Sequence, residues 1–176
     1  MLINSIDIID CQVLPSFLEP IETAIDLKML GNDDLVMFLN HIAQMIDADD
    51  SDVTTSLLTV VTGIVRHYKD VVDINQWLTI LGNLWDCVDE TEEDHELTMA
   101  ISMLGLELYS IIDKDNDCSL LLELLVILPL PAGICDLEHV IESTMKIVDN
   151  QFIHNKQEAL VALVIFMAKV CLMKKK

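Results

Sequence analysis

The sequence predicts an all-α protein, and three observations support that prediction. Apolar residues recur at three- and four-residue intervals along most of the 176-residue chain, as they do on one face of a helix. Glycine is scarce, with 5 residues, and no convincing run alternates apolar and polar residues as a half-buried strand does. Residues that favour helix starts precede several apolar stretches. We predict one all-helical domain over 1–176, with an N-terminal arm over 1–15 and a basic tail over 174–176.

Eight helices follow from this pattern, after a short arm helix over 5–13. They are predicted at 19–30, 34–47, 53–69, 74–89, 95–113, 118–128, 137–149 and 156–173. Two pairs have the spacing of a capping box, in which the cap and the third helical residue satisfy each other's backbone donors: Asp73 with Gln76, and Asn155 with Glu158. Helix starts are also expected at Pro20, Asp33, Asp52 and Asp136, and a helix end at Gly31.

The chain also matches itself at a spacing of about 42 residues. The helices then form four consecutive pairs, at 19–47, 53–89, 95–128 and 137–173. The matching residues come from the first three pairs: Leu39, Ile42, Ile46 and Asp47 fall opposite Leu81, Leu84, Val88 and Asp89, and Gly63 and Ile64 fall opposite Gly105 and Leu106.

This pairing resembles HEAT and armadillo-like helical repeat proteins, which stack two-helix units of similar length. The resemblance covers nearly the whole chain at the level of architecture, since the third pair keeps the length with few residue matches and the fourth pair with none. It implies a HEAT-like stack of helical hairpins. A compact bundle of antiparallel helices gives a similar pattern, so both architectures stay open.

Acidic residues dominate the charge of the chain. It has 30 Asp and Glu against 10 Lys and Arg, a formal charge of −20, although 52% of its residues are hydrophobic. This apolar content excludes a disordered chain. The charge argues against nucleic acid and anionic membranes as direct partners, because both would repel it. It favours a basic partner, or it serves solubility alone.

The sequence also indicates the cellular compartment and whether the chain spans a membrane. Residues 1–17 contain no basic side chain, so they do not form a secretory signal, and the 5 scattered cysteines fit a reduced environment. The apolar stretch 159–173 reaches about 22 Å as a helix, short of the ~30 Å hydrocarbon core, so we interpret it as a buried core helix. We expect an intracellular protein, cytoplasmic or nuclear, with no membrane span.

The residues proposed to bind a partner combine an acidic edge with two tryptophans. In a hairpin stack, the connections between pairs lie on one edge, which places the loops 47–52 and 89–94 together. Trp77 and Trp85 are eight residues apart and share a broad face of one helix, where core packing is the alternative to a groove anchor. The acidic candidates are Asp47, Asp49, Asp50, Asp86, Asp89, Glu90, Glu92, Glu93 and Asp94.

The sequence gives little support for a metal site or a catalytic motif. The run 113–118 resembles the start of an EF-hand loop, but Cys118 and Leu124 stand where that loop needs Gly and Glu. Cys135 and His139 have ligand spacing without the second pair that zinc requires. No phosphate-binding or nucleophile motif is present. We therefore expect no cofactor, no metal and no enzyme activity.

These observations favour an acidic interaction module, or adaptor, that binds a basic protein or peptide stoichiometrically, without direct nucleic-acid or membrane contact. The apolar content, with 9 methionines, also favours a homodimer or a subunit of an obligate complex. Two alternatives stay open. One is an immunity or antitoxin-type inhibitor that masks a basic nucleic-acid-binding protein. The other is a viral Bcl-2-like helical regulator, in which a helix enters an apolar groove.

Overall fold

The computed structural model is all-α, which confirms the predicted fold class. It describes residues 23–25, 29, 31–47, 50–88, 95–112, 119–130, 144–145 and 156–173. Of these residues 88% are helical, and none of them lies in a strand. The helices are α1 (Asn32–Met45), α2 (Ser51–His67), a 3₁₀ turn (Lys69–Val71), α3 (Ile74–Cys87), α4 (His95–Ile111), α5 (Ser119–Ile127) and α6 (Lys156–Met173).

The observed helices lie within two residues of the predicted ones at each end, and α6 agrees at both ends. The predicted helix at 19–30 is described at 23–25, which are helical, and at residue 29, which is not. The predicted helix at 137–149 is described at 144–145, which are helical. The predicted arm helix at 5–13 lies outside the described residues.

The helix boundaries confirm one predicted cap and correct three. Asp73 caps α3, because its Oδ1 accepts hydrogen bonds from the N–H groups of Asn75 and Gln76, at 3.1 and 3.3 Å. The cap of α2 is Asp50 and not Asp52, which lies inside the first turn. Gly31 begins α1 and does not end a helix, and Asp33 lies inside the first turn of α1. Acidic residues are favoured both at the cap and in the first turn of a helix, because a negative charge at either position complements the positive end of the helix dipole.

The chain divides into two compact units, Met1–Val72 and Asp73–Lys176. In the first unit, α1 packs on α2, and the 3₁₀ turn contacts both helices. The buried side of α1 follows the three- and four-residue spacing of its sequence: Leu35, Phe38, Leu39 and Ile42. The hydroxyl of buried Thr54 donates to the carbonyl of Asp47 at 2.6 Å and accepts from its N–H at 3.2 Å, which fixes the turn between α1 and α2.

In the second unit, α3 packs on α4 and α5, α4 packs on α5, and α5 packs on α6. The largest fully buried side chains there are Trp77, Tyr109, Phe166 and Leu81. The rings of Tyr109 and Phe166 meet edge to face, with 5.0 Å between their centroids. Gly105 of α4 faces α5, where a Cβ would lie 3.8 Å from Leu121, in ordinary van der Waals contact. The prediction of one domain and the choice between a repeat stack and a bundle stay predictions.

Candidate functional site

Helix α6 is apolar on two opposite sides. Its inner side is buried and consists of Ala159, Leu163, Phe166 and Val170, at intervals of three and four residues. Its outer side is also mostly apolar and is exposed to solvent. The exposed fractions there are 49% for Leu160, 55% for Val161, 66% for Val164, 39% for Ile165 and 66% for Leu172. Ala168 and Cys171 lie on the same side and are exposed as well.

We call this surface the α6 outer face: Leu160, Val161, Val164, Ile165, Ala168, Cys171 and Leu172. It contains no charged residue. Between residues 160 and 172 the chain has one charged side chain, Lys169, and its amine turns away to α5. A helix that is apolar all round is normally enclosed on every side. The α6 outer face therefore has the composition of a buried surface in an exposed position.

Lys169 fixes α6 to the end of α5. Its Nζ donates to the backbone carbonyls of Leu125 at 3.3 Å, of Leu128 at 3.1 Å, and of Val126. The last carbonyls of a helix have no partner within the helix, so a lysine there satisfies them and complements the negative end of the helix dipole. Burial lowers the pKa of Lys169 from its ordinary value.

Two further contacts bear on the shape of this surface. The edge-to-face pair of Tyr109 and Phe166 holds the inner side of α6 against α4. Ile127 of α5 is 58% exposed and lies in the chain between Val126 and Leu128, whose carbonyls accept hydrogen bonds from Lys169. The α6 outer face is thus presented by a helix that several neighbours hold in position.

The α6 outer face is about 18 Å long, from residue 160 to 172, and about 10 Å wide, the width of one helix. It lacks titratable groups apart from the thiol of Cys171, so it offers no acid–base pair for catalysis. What it offers is burial of apolar area, which stabilises a complex by about 25 cal/mol per Å² before the costs of association. The geometry suits binding.

The structure describes only some of the acidic residues proposed from the sequence. Asp47 and Asp86 are exposed, and Asp50 is partly buried because it caps α2, where its Oδ1 accepts from the N–H of Val53 at 3.3 Å. Asp47 and Asp50 belong to the first unit and Asp86 to the second. Asp49, Asp89, Glu90, Glu92, Glu93 and Asp94 lie outside the described residues. The shared acidic edge therefore stays a prediction.

The two tryptophans of α3 have different environments. Trp77 is completely buried, so in this conformation its side chain offers no surface to a partner. The core-packing interpretation accounts for it. Trp85 is only partly buried. Of the two, Trp85 keeps the exposure that a binding anchor needs.

Metal ligands do not come together in the described part of the chain, where no group of three His, Cys, Asp or Glu side chains is placed to hold an ion. The segment 113–118 and the pair Cys135 and His139 lie outside the described residues. No helix in the described ranges combines the length and apolarity that a membrane crossing requires. The chain matches no family model, no curated protein and no solved structure.

The sequence analysis missed the α6 outer face. It interpreted the apolar stretch 159–173 as a buried core helix, and the structure buries only one side of it. The reason is that the neighbours of α6 cover the side that contains Leu163, Phe166 and Val170 and leave the opposite side open. The signal was present in the sequence, since apolar residues occupy every side of this helix instead of one stripe.

Proposed function

We propose that the protein is an acidic interaction module that binds an amphipathic, basic helix of a partner protein on the α6 outer face. The single observation that supports this most is the exposure of Leu160, Val161 and Val164 on a helix whose other side is buried. Contiguous exposed apolar surface in a folded protein is typical of a site for another molecule.

The dimensions favour a helix as the occupant. A strip about 18 Å long and about 10 Å wide matches the footprint of one helix of about 12 residues. Exposed positions on α6 recur at intervals of three and four, so a second helix laid along them meets a continuous ridge of side chains. Docking of an amphipathic helix on an apolar surface is a common mode of peptide recognition.

The charge of the chain favours a basic occupant. A net charge of −20 attracts cations over a range of about 8–10 Å at physiological salt, and it repels acidic segments. Glu123 is exposed on α5, the helix that packs on α6, and adds to the negative charge of the second unit. Apolar contact supplies affinity in this arrangement, and the acidic surface raises the association rate and excludes acidic competitors.

A second copy of the chain fits less well. Two copies that each have a charge of −20 repel one another as they approach. The strip is also well short of the ~800 Å² that each partner buries in a standard interface between globular proteins. A complex with a single helix needs less buried area than an interface between two globular proteins.

The test uses a fluorescently labelled peptide of about 18 residues, built from leucine and lysine with leucines at three- and four-residue intervals. We expect saturable binding by fluorescence anisotropy, which weakens as salt is raised. Val164→Gln places a polar group at the centre of the strip and is expected to weaken binding about tenfold, which corresponds to about 1.4 kcal/mol. A peptide with glutamate in place of lysine is expected not to bind.

Val36→Gln is the matched control, because Val36 is an exposed valine on α1, outside α6. It should leave the affinity unchanged within about twofold, or about 0.4 kcal/mol. Equal losses in the two variants would contradict the proposed site. Equal binding of the glutamate peptide would contradict the basic partner, and a dimer in sedimentation velocity that Val164→Gln abolishes would make a second copy the occupant.

A further inference from the structure

An open cleft in the first unit is lined by a concentration of positive charge that the proposed function does not use. The cleft has a volume of about 430 Å³, within the range of small-ligand sites. Its lining comes from the end of α2, the 3₁₀ turn and the start of α1: Asn32, Arg66, His67, Tyr68, Lys69, Asp70 and Val71.

The charge of this lining is opposite to that of the whole chain. Arg66 is the only arginine in the sequence, and Lys69 is three residues away, in a chain with 10 Lys and Arg against 30 Asp and Glu. Both side chains are exposed. Asp70 is the single carboxylate in the lining, so the two fixed cations outnumber it, and His67 adds a ring that can form hydrogen bonds.

The start of α1 borders the same cleft. Asn32 is the first residue of α1 and lines the cleft, and the preceding cap residue, Gly31, makes no side-chain capping bond. The first N–H groups of a helix have no partners within the helix and favour negative charge. Asp33 and Asp34 occupy the first turn, where their negative charges complement the positive end of the helix dipole, but neither residue lines the cleft.

Tyr68 supplies another donor. Tyr68 is one of the lining residues, and its hydroxyl is buried without a hydrogen-bond partner in the described part of the chain. A buried hydroxyl without a partner is costly to the folded protein and is seldom left in place. An acceptor oxygen of a ligand would satisfy it.

We infer that this cleft binds a small ligand through an oxyanion, a phosphate or a carboxylate group, held by Arg66, Lys69 and the start of α1. The guanidinium of arginine matches both groups, because its planar fork donates two parallel hydrogen bonds to a pair of oxygens. Arg66 and His67 already interact with other groups of the protein, so the ligand shares or replaces those interactions. The competing explanation is that these residues only complement the negative end of α2.

The test titrates the full chain with inorganic phosphate, and in a second arm with citrate, at constant ionic strength. Amide shifts in ¹H–¹⁵N spectra report the binding. We expect saturable shifts confined to Asn32 and the segment 66–71. Tighter binding of phosphate assigns the site to phosphorylated ligands, and tighter binding of citrate assigns it to carboxylates.

Arg66→Gln is expected to weaken binding about tenfold, since it removes a charged donor pair. Lys156→Gln on α6 makes the same charge change in the second unit and should leave affinity unchanged. Tyr68→Phe separates ligand binding from folding, because it should weaken binding about threefold without lowering the thermal midpoint. Shifts that do not saturate, or equal losses of affinity in Arg66→Gln and Lys156→Gln, would contradict the proposed binding site. They would favour the explanation that these residues only complement the negative end of α2.

Discussion

Tyr109 of α4 and Phe166 of α6 meet edge to face, with ring centroids 5.0 Å apart and planes at 67°. Both rings are buried. The hydroxyl of Tyr109 also lies 2.6 Å from that of Thr144. This contact orients α6, because fixing Phe166 inward leaves Val164 and Leu160 on the outside. The binding surface is thus a consequence of how the core is packed.

Truncating a side chain on the inner side of α6 should lower stability far more than truncating one on the outer side. Phe166→Ala is expected to lower the free energy of unfolding by about 3–5 kcal/mol, because it removes a buried ring and leaves a cavity. Val164→Ala is expected to change it by about 0.5 kcal/mol or less, since its side chain is mostly exposed. Urea unfolding followed by circular dichroism measures both. Similar losses in the two variants would mean that Val164 is covered in solution.

The turn between α1 and α2 should depend on one hydroxyl. Thr54→Val keeps the shape of the side chain and removes the two hydrogen bonds to the backbone of Asp47, at an expected cost of about 1–3 kcal/mol in unfolding free energy. Thr59→Val is the matched control on the same helix, because the hydroxyl of Thr59 is exposed and bonds only the carbonyl of Thr55. A cost for Thr59→Val as large as that for Thr54→Val would contradict a specific role for the turn.

Asp50 has two separable roles, a structural cap and a candidate contact for a basic partner. Asp50→Asn removes the charge and keeps a good cap, so the free energy of unfolding should stay within about 0.5 kcal/mol of the wild type. Asp50→Ala removes both and is expected to cost about 1 kcal/mol. Thermal unfolding of the two variants tests the cap. If Asp50→Asn destabilises as much as Asp50→Ala, the charge matters to the fold and not only the hydrogen bond to Val53.

The pKa of Lys169 predicts a dependence of stability on pH. Burial lowers this pKa below 10.5, so between the two values the unfolded chain binds more protons than the folded one. Stability contributed by this group therefore rises with pH across that window and is constant below it. We expect the wild type to gain stability relative to Lys169→Met as pH rises towards 10.5. Urea titrations of both proteins at neutral and alkaline pH measure the free energy of unfolding of the wild type minus that of Lys169→Met. A fall in this difference as pH rises would contradict the direction of the pKa shift.

The sequence predicted the helices well because their signals are local. Three- and four-residue periodicity gave every described helix, and the Asp73 cap follows from short-range hydrogen bonding. The caps at Asp50 and Gly31 were missed because several acidic residues near each helix start fit equally well, and only the backbone decides among them.

The candidate sites depend on which helices meet, which a single sequence does not encode locally. The composition alone predicts that Leu160, Val161 and Val164 belong to the core, and their exposure follows from where α5 and α4 pack on α6. In the same way, the cleft at Arg66 joins residues from two helix ends, Asn32 and the segment 66–71, that are far apart in the chain. Neither surface has a local motif.

Cys171 allows the most direct test of the central claim, that a basic amphipathic helix occupies the α6 outer face. Its thiol is exposed at one end of that face. Alkylation of the native chain, followed by mass spectrometry of the peptide that contains Cys171, measures its reaction rate without and with the saturating leucine–lysine peptide. We predict that bound peptide slows alkylation of Cys171 at least about tenfold, because a docked helix covers it, and that Val164→Gln, which binds more weakly, restores part of the rate at the same peptide concentration. An unchanged rate while the peptide is bound would place its site elsewhere and contradict the account.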